Sequence, residues 1–307
     1  MQIIQKTTDF EIEGRSAVTI GKFDGIHLGH QALLRYIAEQ RSRGLKAVVF
    51  TFDPPPAAFF GLSGGKELMT GEEKRTAFER LGVDVLIEFP LTAETAAIAP
   101  RDFIEGILRD RLHTAYLAAG ADISFGAGGR GSCRLLEALQ EPCGYRVQII
   151  DKVRYQGQVI SSTAVRVQVE KGGMESAAGM LGRPFSLSGP VVCGNRLGRT
   201  MGMPTANLLP PKNKLLPPAG VYFSEVCIGN CHYRGITNIG CKPTVSDSRQ
   251  PGAETYIYDF DSEIYGREIQ VSLLKFKRPE RKFSGMEELR RQMRKDVEEG
   301  RAFRKFP

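Results

Sequence analysis

The sequence predicts an α/β chain followed by an all-β one: an N-terminal doubly wound parallel sheet, then a C-terminal antiparallel β-barrel with a terminal helix. Three observations carry this. Val18 to Leu34 (VTIGKFDGIHLGHQALL) reads as a strand, a turn bearing Gly21, Gly25 and Gly29, and the start of a helix. Apolar runs of strand length then alternate with amphipathic stretches of helix length as far as Leu181, the rhythm of a parallel sheet. From Phe185 onward, short β-rich runs are parted by glycine and proline turns. That is the spacing of antiparallel strands, which remove their exposed edges by closing on themselves.

Taken in order, Ala17 to Ile20 is the first strand, and Leu33, Leu34 and Ile37 mark the buried face of the helix after it. Lys46 to Phe52 (KAVVFTF) is a second buried strand, ended by Pro54, Pro55 and Pro56; Ala57 to Gly61 follows as a short apolar loop. Thr70 with Glu73 forms a capping box ahead of a helix that Gly82 closes. Val83 to Phe89 is the third strand. A helix opened by Pro100 carries Phe103, Ile104, Ile107, Leu108 and Leu112 at helical spacing. Tyr116 to Ala119 and Tyr145 to Ile150 complete the sheet, and Met174 to Leu181 forms a short helical linker after Gly172-Gly173. The boundary falls near Leu181–Pro184, giving domains 1–182 and 183–307. Beyond it, Leu187–Val192, Gly220–Cys227, His232–Ile239, Glu254–Phe260 and Glu268–Phe276 are the barrel strands. One helix follows, with Met286, Leu289, Met293 and Val297 on the face toward the barrel.

A length of 307 residues suits two domains of ordinary size, and 41% hydrophobic with 25% charged residues is the balance of a soluble globular protein. No apolar run approaches ~18 residues and no secretory signal opens the chain, so a cytoplasmic protein with no membrane partner is expected. The formal net charge of +7 is spread along the chain. Its densest cations (Arg290, Arg291, Arg294, Lys295) alternate with Glu287, Glu288, Glu298 and Glu299 on one helix, a solvated face and not a nucleic-acid stripe. An excess of positive charge also suits polyphosphate substrates. Six cysteines lack zinc spacing and are expected as free thiols. Cys227 and Cys231 flank the Gly229-Asn230 turn, which would set them facing each other.

The chemistry-bearing residues gather in a few stretches. Two of the four histidines, His27 and His30, sit in the turn of the opening stretch. Imidazoles with two residues between them at a helix start can both donate N–H to a phosphate, and the first-turn backbone N–H groups favour the same anion. No lysine follows as in the common P-loop. In a doubly wound sheet the C-terminal strand ends carry the ligand, which adds Asp53, the segment Phe125 to Gly131 (FGAGGRG) and Ile160 to Arg166 (ISSTAVR). In the latter, Ser161 or Ser162 caps a helix and Arg166 lies one turn inside. In the second half, Gly198 to Leu208 (GRTMGMPTANL) joins a glycine-rich loop to a hydroxyl and an amide, hard oxygen donors that suit Mg²⁺ and phosphate.

The H-x-G-H pattern resembles the signature of nucleotidylyltransferases. With TIGKFDGIHLGH (Thr19–His30), TFDPPPAAFF (Thr51–Phe60), GADISFGAGGRG (Gly120–Gly131) and ISSTAVR, the first half resembles the FMN adenylyltransferase module of prokaryotic bifunctional riboflavin kinase/FAD synthetase. Two pieces depart from the usual pattern. Pro55 stands where TFxPHP has histidine, and Ile123-Ser124 replace the Phe-Arg of GxDFRFG. The second half resembles riboflavin kinase through GRTMGMPTAN, with Met203 where Phe is commoner. GVYF (Gly220–Phe223), GITNIGCKPTV (Gly235–Val245) and ETYIYDFDSEIYG (Glu254–Gly266) follow in the same order and spacing.

The resemblance implies a nucleotidylyltransferase sheet domain and a riboflavin kinase barrel. With ATP as co-substrate and Mg²⁺ as cofactor, the chain would phosphorylate riboflavin to FMN, then adenylylate FMN to FAD with release of pyrophosphate. It implies Glu254 as the kinase base, with Thr205 and Asn207 holding the metal and Gly198, Gly202, Pro204 and Thr205 around the nucleotide. For the transferase it implies catalytic roles for His27 and His30. Gly21, Phe23, Asp24, Gly29, Asp122, Ser161, Ser162, Thr163 and Arg166 would surround the nucleotide and phosphates. Asp24 either shapes the turn or meets substrate. The departures at Pro55 and Ser124 leave a second reading open, a riboflavin kinase whose N-terminal half is weak, inactive, or a flavin-binding or regulatory domain. An RNA-binding module, a third reading, has no motif behind it.

Overall fold

A six-stranded sheet runs through the first unit, Met1–Ser162, of the computed structural model, in which residues 1–61, 66–194, 202–242 and 250–303 are described. Its strands are β1 (Gln2–Gln5), β2 (Ser16–Ile20), β3 (Lys46–Asp53), β4 (Val85–Pro90), β5 (Thr114–Gly120) and β6 (Arg146–Ile150). They lie in the order β1-β4-β3-β2-β5-β6, and every pairing is parallel. The central strands are apolar along nearly their whole length because both faces are covered. On one face Ala17, Ala47, Val49 and Leu86 meet Leu33, Leu34 and Ile37 of α1 (Leu28–Glu39). Phe78, from the later helix Gly71–Arg80, joins the same cluster. On the other face Val18, Val48, Phe50 and Ile87 meet Phe103, Ile104 and Leu108. The chain runs outward through β2, β3 and β4, then returns to set β5 on the free side of β2. The C-terminal ends of β2 and β5 therefore flank the crevice where such sheets take ligands.

Where the unit departs from expectation, the causes are local. The edge strand β1 pairs with β4 yet is mostly exposed, so no apolar run announces it. Residues 57–61, expected as a loop, hold most of a single helical turn, α2 (Pro56–Phe59), with proline at its first position. Thr70 and Glu73 form the anticipated reciprocal capping box on α3 (Gly71–Arg80). Two one-turn helices, α4 (Ala93–Ala96) and α5 (Pro100–Asp102), come next. The helix opened by Pro100 then widens into a π-helix over Phe103–Arg109. The Asp110 and Leu112 N–H groups donate to the Glu105 and Ile107 carbonyls, five residues back. The unit ends with α6 (Cys133–Ala138) and a two-residue hairpin, β7 (Arg154–Tyr155) and β8 (Gln158–Val159).

The second unit, Thr163–Pro307, takes in nearly all of α7 (Ser162–Glu170) and α8 (Met174–Leu181). Its sheet comprises β9 (Phe185–Pro190), β10 (Thr205–Leu208), β11 (Gly220–Ile228), β12 (Cys231–Lys242), β13 (Gln250–Ile257) and β14 (Glu268–Pro279). The order is β10-β13-β12-β11-β14-β9, antiparallel throughout. Past the end of β9, Val192 bridges Asn207 on β10, its N–H donating to the Asn207 carbonyl at 2.9 Å, so the first and last strands are tied together. Strand alternation sends Tyr222, Val226, Ile239, Ala253 and Val271 inward. Three buried hydroxyls satisfy one another there: Thr237 bonds Ser224 at 2.8 Å and Thr255 at 2.9 Å. The hairpin register pairs Ile228 with Cys231 and Cys227 with His232. Cys227 and Cys231 therefore point to opposite faces and do not confront each other.

The terminal helix, α9 (Met286–Ala302), lies on the outer face of β11, β12 and β13. Its contact is displaced toward its C-terminal end. Met286, expected against the barrel, is 53% exposed, while Val297 packs on the cluster of Val221, Phe223, Ile236 and Tyr258. Gly300 is tucked under the Tyr258 hydroxyl, where any Cβ would collide. The deepest polar tie is Asp296, 2% exposed, which accepts Arg278 Nε at 3.0 Å, Arg278 Nη2 at 2.7 Å and Gln292 Nε2 at 2.8 Å. Replacing Asp296 by Ala strands a largely buried guanidinium, at a cost of about 2–3 kcal/mol, since Arg278 keeps some solvent contact. The expected outcome is faster amide hydrogen exchange across Met286–Ala302, with exchange in the first unit unchanged.

Candidate active sites

The first site grows from the end of β2. Gly21 N–H donates to the Phe50 carbonyl at 3.1 Å, and the chain then turns through three left-handed residues: Phe23 (φ 49°), Gly25 (φ 83°) and Ile26 (φ 43°). Glycine bears that conformation freely, whereas Phe and Ile do so at a cost. Burial supplies the compensation, for Phe23 and Ile26 are 0% and 1% exposed. The Phe23 ring meets Phe78 edge-on at 5.5 Å and His30 at 5.1 Å. Asp24 ties the turn to two other segments: its Oδ1 accepts the Leu68 N–H and its carbonyl accepts Ser162 Oγ, both at 2.8 Å.

His27 is the N-cap of α1, its Nδ1 accepting the His30 N–H at 3.3 Å. The two imidazoles stack with centroids 3.7 Å apart and planes 14° from parallel. A Cβ at the glycine between them would lie 3.2 Å from the His27 ring, so any larger residue at Gly29 would press that ring aside by a few tenths of an ångström. A Cβ at Gly21 would crowd the Phe23 ring at 3.1 Å. Burial, and secondarily the neighbouring His27, hold the His30 pKa well below its ordinary 6.5, so this ring is neutral. Its Nδ1 is buried with no hydrogen-bond partner among the described residues. A buried nitrogen left in that state costs about 1–3 kcal/mol, a cost that a ligand at the α1 N-terminus can relieve.

The remaining candidates of this half are more dispersed. Asp122, two residues beyond β5, is largely exposed and pairs with Lys152 at 3.1 Å. FGAGGRG closes into a tight loop through a Phe125–Gly131 bridge, and Gly126 lies so close to Pro100 that a Cβ would stand 2.8 Å from Pro100 Cα. Pro55 accepts the Ala58 N–H at 2.9 Å and so begins α2. Ser161 and Ser162 end the first unit, and Thr163 and Arg166 follow on the part of α7 that belongs to the second.

The second site is assembled by strand register. β10 and β13 set Asn207 directly opposite Glu254, and Thr205, on the same face, donates its hydroxyl to Glu254 Oε1 at 2.7 Å. Two segments distant in sequence are thus brought together. Gly194 lies against the Asn207 amide, where a Cβ would stand 2.6 Å from Nδ2. Gly202 (φ 72°) and Pro204 lead into β10, while Gly198 and positions 243–245 of the GITNIGCKPTV stretch lie outside the described residues. Sequence reasoning overlooked Asn238, which faces Glu254 from β12. Its signal was present, since it sits mid-strand among apolar neighbours in GITNIG. Beside Thr205 opens a cavity of about 410 Å³ lined by Pro204, Ile257, Phe260, Asp261, Glu263 and Tyr265 among others. That is ample for part of a nucleotide.

Comparison with known proteins divides the chain into two matched stretches. Residues 9–164 match the FAD synthetase family and residues 181–304 the riboflavin kinase family. A bifunctional riboflavin kinase/FMN adenylyltransferase of Listeria monocytogenes is 35% identical, over 97% of this chain and 95% of its own length. The chain belongs to the bifunctional riboflavin kinase/FMN adenylyltransferase family. The Escherichia coli K12 member is 37% identical over 93% of this chain and 92% of its own. A crystal structure from Streptococcus pneumoniae, described as a macrolide-efflux protein, superposes with a TM-score of 0.87 at 29% identity, covering 98% of this chain and 99% of that one. The bifunctional enzyme makes FMN and FAD, with flavins and ATP as its substrates.

The neutral His30 has a measurable consequence. With its folded pKa depressed, the unfolded chain binds the proton more tightly. The penalty is absent above about pH 6.5 and grows as pH falls below it. Hydrogen-exchange protection of α1 is expected to drop from pH 7 to pH 5, and to drop less steeply in His30→Gln.

Proposed function

We propose that the two reactions of the family are run by separate groups of residues in this chain, phosphoryl transfer by 183–307 and adenylyl transfer by 1–182. The observation that carries the first assignment is the contact of Thr205 with Glu254 at 2.7 Å across β10 and β13. Glu254 orients the 5′-hydroxyl of the ribityl chain and takes its proton as that oxygen attacks the γ-phosphoryl of ATP. Phosphoryl transfer otherwise rests on positioning and charge neutralisation. Thr205 and Asn207 offer a hydroxyl and an amide oxygen, hard donors that fit Mg²⁺. Among the described residues no three His, Cys, Asp or Glu side chains converge as they would to hold an ion unaided. When bound there, Mg²⁺ would neutralise charge on the ATP phosphates. Gly198, Gly202 and Pro204 are assigned to the same nucleotide.

In adenylyl transfer the FMN phosphate oxygen attacks the α-phosphorus of ATP in line and pyrophosphate leaves. No covalent enzyme intermediate is needed. His27 and His30 sit where ring N–H groups and the α1 N-terminus can stabilise charge on the transferring and departing phosphates. His30 acts as a neutral donor. Gly21, Phe23, Asp24 and Gly29 hold the two rings in place. Asp122 is assigned to the nucleotide, and the ISSTAVR stretch adds Ser161, Ser162, Thr163 and Arg166 on sequence grounds. We place the enzyme in the cytoplasm, acting on small molecules without nucleic acid or membrane. No helix among the described residues is long and apolar enough to cross a membrane.

One incubation with riboflavin, ATP and Mg²⁺, followed by chromatography of the flavins, tests both assignments. The unaltered chain should yield FMN and then FAD. Glu254→Gln should form no FMN from riboflavin yet still convert added FMN to FAD. If it retains most of the kinase rate, the base is elsewhere. The double variant His27→Ala/His30→Ala should stop at FMN. If it loses both products together, the separation of the two sites is wrong.

A further inference from the structure

We propose that Cys227 is a modification site: a surface thiol activated by His232 and Glu225 to exchange with low-molecular-weight disulfides. The three residues share the outer face of the β11–β12 hairpin, well along the strands from Glu254. Cys227 and His232 are direct cross-strand partners, and Glu225 lies two residues before Cys227 on the same face. His232 Nε2 stands 3.9 Å from Cys227 Sγ, and His232 Nδ1 is 3.4 Å from Glu225 Oε1. The order of contacts matters. A carboxylate at Nδ1 selects the tautomer with its proton there and turns the Nε2 lone pair toward the sulfur. A thiol, a base and a third group that orients the base form the general pattern of an activated nucleophile. At rest the Sγ–H donates to the Gly229 carbonyl at 3.2 Å, so the imidazole is a second acceptor within reach of the same proton.

In the exchange, Cys227 gives its proton to His232 Nε2 and the thiolate attacks one sulfur of a small disulfide. The bond between the two sulfurs of that molecule breaks as a new one forms to Cys227. The departing thiolate recovers the proton from the imidazolium, and one disulfide has replaced another with no net oxidation. The hairpin contains its own control. Cys231 is the more exposed thiol but points to the opposite face, paired with Ile228. Exposure alone would make Cys231 the faster to react, and activation by His232 reverses that order.

The test uses the full chain, reduced and freed of thiols, with the chromogenic disulfide dithiodipyridine at pH 7. A fast phase of one thiol is expected, lost in Cys227→Ser and kept in Cys231→Ser. His232→Gln should slow it about tenfold, and Glu225→Gln should slow it less, with the rate of FMN formation unchanged in both as a check on folding. Unfolding the chain in guanidinium should abolish the distinction between the two cysteines. A fast phase that is missing, that survives Cys227→Ser, or that His232→Gln leaves unaltered would overturn the proposal.

Discussion

The burial of Phe23 against Phe78 and His30 is the constraint on which the first half depends. Two bulky residues, Phe23 and Ile26, occupy backbone conformations that side chains resist, and only their packing under α1 and α3 keeps them there. That packing sets where α1 begins, and so where its first-turn N–H groups point. It also presses the two imidazoles together over a residue without a side chain. A side chain at Gly29 would crowd the stacked His27 ring, while no left-handed φ calls for glycine there. The same burial removes the charge from His30 and leaves one of its nitrogens unpartnered among the described residues. Strain and an unmet polar atom, both costs to stability, coincide at one turn, as they do where a protein prepares a site for a ligand.

The barrel reaches its chemistry by another route. Three buried hydroxyls of its interior, Ser224, Thr237 and Thr255, bond one another. On the outer face, alternation places Thr205, Asn207, Glu254 and Asn238 in adjoining rows. Part of that face is taken by α9, held by the buried Asp296 and by Arg234, which donates to the Gly300, Arg301 and Phe303 carbonyls at the helix end. What the helix leaves uncovered is where the hydrophilic row lies.

The sheet of the first unit was legible because its central strands are buried on both sides and read as unbroken apolar runs, while Thr70 and Glu73 marked a helix start by side-chain chemistry. The edge strand β1 was not legible, since exposure on both faces leaves no pattern to detect. The π-helix was also hidden: one extra residue per turn still places Ile104, Ile107 and Leu108 on a common side. In the barrel, β10 is short and its residues drew attention as a motif before they could be seen as a strand. Register was the other blind spot. A shift of one residue sends Cys227 and Cys231 to opposite faces, and only pairing across the hairpin reveals that His232, not Cys231, is the neighbour of Cys227. The Asn238–Glu254 pairing was hidden for the same reason. The motifs carrying His27, His30 and Glu254 were visible in the sequence; what they touch was not.

Asn207 stands at two junctions at once. Its carbonyl receives the Val192 N–H that ties the last strand to the first, and its side chain lies beside Glu254 in the row proposed for phosphoryl transfer. An unrolled sheet, with that tie open, would leave Asn207 with no partner strand on one side. On the proposed assignment, turnover of riboflavin doubles as a gauge of whether the cylinder is shut: a chain caught part-way through folding, with every other strand paired, would make no FMN until this last seam is made.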